Sequence, residues 1–176
     1  MINLFTKLYI ANDHGGYEAK VRLVSYLKVN GVAYEDLGCG DTGVRRYPYY
    51  AARAAHSVLA DPGSGAILLC STGIGMSIIA NKFRGIRAAL CTDGFMAKMT
   101  RKHNDSNVLC LGGRVSGEYE IQDIVERWLA TEFEGERHKD SLYLISLVDD
   151  EINSGEMVRL ADTPEEEEMQ GEKPTV

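Results

Sequence analysis

The sequence lacks the usual features of a membrane or secreted protein. It contains no run of 18 or more apolar residues, which excludes a transmembrane helix. Its start has no basic segment followed by an apolar stretch and a cleavage site, so we expect no secretion. The four cysteines include no C-x-x-C pair, so neither a disulfide framework nor a zinc site is indicated. We therefore expect a cytoplasmic protein with reduced thiols.

Positively charged residues are also fewer than negatively charged ones. Nineteen Lys and Arg residues stand against 26 Asp and Glu residues, which gives a net charge of −7 at pH 7. Six of the acidic side chains but only one lysine lie in residues 162–176, so the rest of the chain is nearly neutral. This distribution argues against nucleic acid and against an anionic membrane surface as partners. We expect one domain over residues 1–155 and an acidic, flexible tail over residues 156–176.

What the sequence does contain is a regular alternation of apolar and amphipathic segments. Amphipathic helices are predicted between and after five short apolar segments. These five segments are predicted strands, at residues 8–11, 32–37, 66–70, 88–91 and 108–111. The pattern predicts an α/β fold, a three-layer Rossmann-like sandwich with a five-stranded parallel sheet. Because the carboxyl ends of parallel strands share one edge, we expect Asp13, residues 71–77 and Asp93 to lie near one another.

The most informative local segment is residues 70–77, with the sequence CSTGIGMS. A buried strand ends there, small residues follow, and a helix begins, an arrangement that points backbone N–H groups at one spot and can bind an anion. The segment lacks the Gly-Lys-Ser/Thr of a Walker A loop and the third glycine of a dinucleotide fingerprint. A tight turn without a ligand is the alternative. Cys70 is correspondingly either a reactive thiolate or a buried structural cysteine, the commoner case for an isolated cysteine.

Three further polar segments contain candidate functional side chains. His103 and Asn104 precede the fifth predicted strand, Asp13 and His14 follow the first, and Arg137-His138 opens a predicted helix. A histidine or a cation pair in such places is more often a solvated surface group than a ligand-binding one. The position of Asp13 and His14 after a strand favours function somewhat more, since α/β sites form there.

Taken together, these segments resemble the type B ribose-5-phosphate isomerases and the related galactose-6-phosphate isomerase subunits. The resemblance extends over residues 7–145 and rests on several spaced motifs in the right order. These motifs are NDHGGYEAK at 12–20, YPYYA at 47–51, CSTGIGMSIIANK at 70–82, GIRAALC at 85–91, HNDSNVL at 103–109 and LGGRV at 111–115.

The resemblance implies an aldose–ketose isomerisation through a cis-enediolate, without metal or other cofactor. Cys70 matches the family's catalytic thiolate, because the glutamate that some relatives use instead is Met76 here. Thr72 matches the hydroxyl that serves the substrate oxygens, and His103 matches the acid/base that opens the sugar ring. The resemblance also implies a homodimer, or a tetramer built from it, in which active sites are shared and His103 and Arg114 complete the neighbouring subunit's pocket.

The remaining residues matched to the family contact the substrate. The backbone amides of residues 71–77 match its anion hole, and the other positions match contacts to the sugar hydroxyls, the phosphate or the pocket wall. The predicted substrate-binding residues are Asp13, His14, Tyr47, Ser71, Gly73, Gly75, Ser77, Asn104, Arg114, Arg137 and His138.

Two departures from the family pattern bear on the substrate. Ser71 stands where a glycine is usual, and a serine there would be strained if the position needs a positive φ. Ser141 replaces a second phosphate-binding arginine, four residues after Arg137. Ribose 5-phosphate is the expected substrate; a tetrulose 4-phosphate or a hexose 6-phosphate is the alternative within the class. A non-catalytic phosphosugar-binding module is the alternative outside it, although binding alone would need neither Cys70 nor His103.

Overall fold

The computed structural model describes residues 1–154, so the predicted tail at 156–176 lies outside the described residues. No helix within the described part is long and apolar enough to cross a membrane. The five strands are β1 (Leu8–Asn12), β2 (Tyr34–Asp36), β3 (Gly65–Cys70), β4 (Ala88–Leu90) and β5 (Val108–Gly112). The α-helices are α1 (Tyr17–Val29), α2 (Tyr47–Ala60), α3 (Ile74–Ala80), α4 (Gly94–Asn104), α5 (Glu118–Ala130) and α6 (Arg137–Ser154).

The strands form one sheet in the order β2-β1-β3-β5-β4, and every pair is parallel. The predicted fold class and all five predicted strands are thereby confirmed. β1, β3 and β5 are buried along their whole length because they lie inside the sheet with helices on both faces. The edge strands β2 and β4 are shorter and only partly covered.

Alternate side chains of each inner strand divide the core into two layers. In β3, Ile67 and Leu69 pack in one cluster with side chains of α1, α4 and α5. Leu68 and Cys70 point to the other face and pack with side chains of α2 and α3. This period-two alternation buries both faces of the sheet and gives the three layers of the sandwich.

The order of the strands places a crevice beside β1 and β3. The chain leaves β1 toward β2 on one side, whereas β3 lies on the other side of β1. At such a switch point the connections leave the sheet on opposite faces, and the carboxyl ends of the two strands border an open crevice. Asp13 follows β1 here and Ser71 follows β3, so two of the predicted site segments meet at this point.

Candidate active site at the carboxyl edge of the sheet

Cys70 is the last residue of β3 and is buried, with 5% of its surface exposed. The chain turns back over it, so that the N–H of Gly73 donates a hydrogen bond to the Cys70 sulfur at 3.1 Å. The turn is possible because Gly73 has a φ of 79°, in the left-handed region that favours glycine. A Cβ at Gly73 would also come within 2.5 Å of Leu90 Cδ1 and 2.9 Å of the Leu111 carbonyl carbon.

Ser71, by contrast, is not strained. Among residues 1–154, only Asp105 and Glu136 are non-glycine residues with positive φ. The replacement of the family's usual glycine by Ser71 therefore carries no backbone cost, and the position that needs a glycine is Gly73. The next residue in the loop is Thr72, whose Oγ1 accepts a hydrogen bond from the N–H of Ile74 at 3.4 Å.

The loop after β1 lies directly against the Cys70 loop. Asp13 begins it, and its carboxylate Oδ1 accepts the N–H groups of Gly15 at 2.8 Å and Gly16 at 3.2 Å. A Cβ at Gly15 would lie 2.2 Å from Ser71 Oγ, so the absence of a side chain lets the two loops touch. His14 is held through Nδ1, which lies 3.2 Å from the backbone nitrogen of Arg45.

The loop after β5 lies on the other side of the Cys70 loop. Its Gly113 N–H donates to the Cys70 carbonyl at 2.8 Å, and its Arg114 N–H donates to the Ser71 carbonyl at 3.1 Å. Tyr47 adds a wall, because a Cβ at Gly75 would come within 2.8 Å of its ring. The structure thus brings together most of the predicted residues at this edge, namely Asp13, His14, Tyr47, Ser71, Thr72, Gly73, Gly75, Ser77 and Arg114 with Cys70.

Asp93 does not join this group as closely as expected. It follows β4, the outermost strand, and β5 lies between β4 and β3. Its side chain caps α4 by accepting the Met96 N–H at 2.9 Å. Asp93 therefore shares the carboxyl edge with Cys70 but lies two strands away from it. Neighbouring strands are about 4.8 Å apart, so the two strand ends are about 10 Å apart.

The other predicted residues, His103, Asn104, Arg137 and His138, form a second group at the opposite edge of the sheet. His103 and Asn104 end α4, which runs back to the amino end of β5, and Arg137 and His138 begin α6. The imidazole rings of His103 and His138 stack, with centroids 4.2 Å apart and planes 18° apart. The side chain of His138 is the less exposed of the two, at 14% against 37% for His103.

The two groups cannot meet within one chain. Cys70 pairs with Gly112 at the carboxyl end of β5, whereas His103 precedes Val108 at its amino end. The length of β5 separates them, at about 3.3 Å per residue. Arg114 lies with the first group, because its backbone is bonded to the Cys70 loop of its own chain, whereas His103 lies with the second.

The structure adds Glu134, which the sequence analysis missed, to the second group. Its Oε2 lies 3.9 Å from His103 Nε2, 3.8 Å from His138 Nε2 and 3.3 Å from Lys102 Nζ. The hydrogen bond with Lys102 is the main cause that lowers the pKa of Glu134. The available signal for Glu134 was its spacing of four residues from His138. A search for ligand spacing within single helices misses this pair, because Glu134 lies in the loop before α6.

The environment of the cysteines distinguishes Cys70 from Cys91 and Cys110. All four cysteines are free and buried. Desolvation raises the pKa of Cys91 to about 12 and the pKa of Cys110 well above its ordinary value. These two thiols stay protonated at neutral pH and pack as small apolar groups, as the sequence suggested.

Comparison with known proteins agrees with the fold. A family model described as Ribose/Galactose Isomerase matches residues 8–145. Ribose-5-phosphate isomerase B of Escherichia coli (strain K12) is 39% identical over 147 residues, which cover 84% of this chain and 99% of that protein. The solved structure of ribose-5-phosphate isomerase B from Clostridium thermocellum has a TM-score of 0.82 at 40% identity, over 84% of this chain and 99% of that one. That from Mycoplasma genitalium with bound ribulose-5-phosphate has a TM-score of 0.79 at 33% identity, over the same shares. On both sequence and structure, the chain belongs to the ribose/galactose isomerase family.

Proposed function

We propose that this isomerase interconverts ribose 5-phosphate and ribulose 5-phosphate, with Cys70 as the base. The observation that carries the proposal is the position of the Cys70 sulfur. It lies at the switch point of the sheet, at the end of a buried strand, and accepts the N–H of Gly73 at 3.1 Å. A thiolate is stabilised by such a donor and by the start of a helix. The names of the relatives, and the ribulose-5-phosphate bound to one of them, support the choice of a pentose phosphate.

The proposed reaction moves one carbon-bound proton and one oxygen-bound proton. The Cys70 thiolate removes the proton from C2 of the open-chain aldose, the C–H electrons form the C1–C2 double bond, and negative charge develops on O1. The hydroxyl of Thr72 relays the O2 proton to O1. The Cys70 thiol then returns its proton to C1 while the C2 carbonyl forms, so no atom or electron is gained or lost.

Backbone amides at the start of α3 stabilise the enediolate oxygens. The first N–H groups of a helix have no acceptor within the helix, and here those of Gly75 and Met76 follow the left-handed turn at Gly73. Donors of this kind contribute about 3–4 kcal/mol each to the transition state in other enzymes. Because amides can hold the developing charge, we propose that the reaction proceeds without metal or cofactor.

Ring opening requires a second copy of the chain. The cyclic sugar must exchange a proton between its ring oxygen and its C1 hydroxyl, and His103 is the group we assign to this step. His103 lies at the opposite edge of the sheet from Cys70 of the same chain. A two-fold homodimer would place His103 of one subunit beside Cys70 of the other. The free thiols support a reducing compartment, and we place this dimer in the cytoplasm.

Replacement of Cys70 tests the base. Cys70→Ala should lower kcat at least about 100-fold on ribose 5-phosphate, in line with the contribution of a general base. Cys110→Ala is the matched control, because Cys110 is buried in the same core cluster on the neighbouring strand. It should fold and retain its activity. A Cys70→Ala variant with more than about a tenth of the normal kcat would exclude Cys70 as the base.

A substitution of Ser141 tests which chain length of phosphosugar the enzyme prefers. This exposed residue lies one helical turn after Arg137 on α6, so an arginine there would stand beside Arg137. We expect Ser141→Arg to lower KM for ribose 5-phosphate more than for four- and six-carbon phosphosugars, since a charge-assisted hydrogen bond contributes about 1.5–3 kcal/mol. A panel of phosphosugars assayed on both proteins provides the measurement. Conversion of a four- or six-carbon phosphosugar with ribose 5-phosphate inert would overturn the pentose assignment, and binding without any conversion would indicate the non-catalytic module.

A further inference from the structure

We infer that His103, Glu134 and His138 form a binding site for a zinc ion, and that zinc bound there inhibits the enzyme. The three residues come from different parts of the chain: the last turn of α4, the loop after α5 and the first turn of α6. One ligand atom from each lies within 4.8 Å of the other two. The inhibitory effect rests on the proposed function of His103, whereas the binding of zinc does not.

The donor set is the one that zinc prefers when an open position remains. Zinc binds imidazole nitrogens and carboxylate oxygens at about 2.0–2.2 Å, and many zinc sites with three protein ligands consist of two histidines and one glutamate. Here Glu134 Oε2 is about equally far from the two Nε2 atoms, 3.9 Å from that of His103 and 3.8 Å from that of His138. A tetrahedral ion needs its ligand atoms about 3.3–3.5 Å apart. Rotation of the two imidazole rings out of their stack, with a shift of the carboxylate, would therefore close the site around an ion.

The backbone of the loop that carries Glu134 is fixed before any ion arrives. The N–H of Glu134 donates to the Lys102 carbonyl at 3.0 Å, which fixes the loop to the end of α4. Gly135 and Glu136 then have φ values of 75° and 47°, and the N–H of His138 donates to the Gly135 carbonyl at 3.0 Å. A non-glycine residue such as Glu136 adopts this conformation at a cost, so the surrounding contacts determine the path of the loop.

Lys102 is the group with which zinc would compete. Its Nζ lies 3.3 Å from Glu134 Oε2 and is one-third exposed, so the flexible side chain can swing into solvent when an ion takes its place. Zinc bound to His103 would occupy the nitrogen that we assign to ring opening, and turnover of the cyclic sugar would stop.

A zinc titration in competition with a chromophoric chelator tests the site. The experiment uses the full chain with Cys70→Ala, so that the Cys70 sulfur beside the crevice cannot bind the metal. We expect one zinc ion per chain. Adding Glu134→Gln or His138→Ala should weaken binding at least about tenfold, because even the loss of an outer-shell partner costs about 10- to 100-fold. Glu132→Gln, an exposed glutamate of the same loop, is the matched control and should leave zinc affinity unchanged. Equal affinity in the Glu134→Gln and control proteins would overturn the inference.

Activity measurements test the inhibition separately. Zinc should inhibit the protein with Cys70 intact at the concentrations that fill the site, and a chelator should restore the rate. Glu134→Gln, compared with its own zinc-free rate, should need at least about tenfold more zinc for the same inhibition. Equal inhibition of both proteins would mean that zinc acts elsewhere, and the inferred inhibition would be wrong. A protein that binds zinc as expected but isomerises no phosphosugar would contradict the proposed function and leave the zinc site standing.

Discussion

At the scale of single residues, burial and backbone donors give chemically identical thiols different properties. Cys91 and Cys110 have raised pKa values because desolvation disfavours their thiolates. Cys70 lies at the end of its strand, beside the crevice, with an N–H donated to its sulfur. The cysteine side chain thus packs as an apolar group at positions 91 and 110 and is a candidate base at position 70.

Alkylation rates should reveal this difference. A thiol reacts as its thiolate, so at about pH 8.5 Cys91, with a pKa of about 12, is almost entirely in the unreactive form. We expect iodoacetamide to modify Cys70 first in the folded protein at this pH, and Cys91 and Cys110 much more slowly. The Cys91 rate should rise with pH up to about 12, because its thiolate fraction rises with pH. Peptide mapping by mass spectrometry provides the measurement, and equal labelling of Cys70 and Cys91 in the folded protein would contradict it.

The conformation of Gly73 allows a prediction about the stability of the folded protein. Gly73→Ala should lower the free energy of unfolding by about 1–3 kcal/mol, because its φ is in the left-handed region and a Cβ would meet Leu90 and Leu111. Gly40→Ala is the control, since Gly40 has no positive φ and a Cβ there would have no heavy atom within 4 Å. Urea denaturation of both variants measures the difference. Similar losses in both would show that the Gly73 turn carries no particular strain.

At the scale of elements, α4 owes its sharp end to a buried guanidinium. Arg101 is 7% exposed, and its Nη1 donates to Asp105 Oδ1 at 2.8 Å and to the Ser106 carbonyl at 2.6 Å. Its guanidinium also lies over the ring of Phe5, 4.9 Å from the centroid. These contacts hold Asp105 at a φ of 44°, where the helix stops directly after His103 and Asn104.

Removing the Arg101 guanidinium should destabilise the folded protein. We expect Arg101→Met to lower the free energy of unfolding by about 1.5–3 kcal/mol, because the buried Ser106 carbonyl loses its charged donor, although Asp105 keeps its ion pair with Arg87. Arg127→Met is the matched control, since Arg127 pairs with Asp123 at 2.9 Å on the surface, where an ion pair contributes at most about 1 kcal/mol. Denaturant unfolding of both variants provides the comparison. Equal effects would mean that the Arg101 contacts do not stabilise the fold.

The elements also show how far the sequence could predict this molecule. Apolar segments such as residues 66–70 identify inner strands, because only a strand covered on both faces is apolar throughout. The same pattern does not say which strands are neighbours, so the insertion of β5 between β3 and β4 could not be predicted. Recognised motifs identified the residues around Cys70. Glu134 was missed, because it lies in a loop and is held beside His103 by a backbone hydrogen bond to Lys102 that no sequence pattern predicts.

At the scale of the whole molecule, one chain carries both halves of the proposed active site but at opposite edges of its sheet. Mixing two inactive variants should therefore restore activity. In a two-fold dimer of Cys70→Ala and His103→Ala subunits, one site loses both residues and the other keeps both. Random exchange of equal amounts makes half of the dimers mixed, so we expect about a quarter of the normal rate. Labelled subunits confirm that exchange has occurred, and no recovery after exchange would place both residues in one subunit's site.

The length of β5 constrains how this chain can diverge. Loops at either edge could accept insertions without moving Cys70 relative to His103, because neither residue's position along the sheet depends on them. Two residues added to the inner strands would preserve the alternation of buried side chains yet lengthen the sheet by about 6.6 Å. In the proposed dimer, His103 of one subunit would then lie out of reach of Cys70 of the other. During evolution, the inner strands should therefore conserve their length more strictly than their amino-acid types.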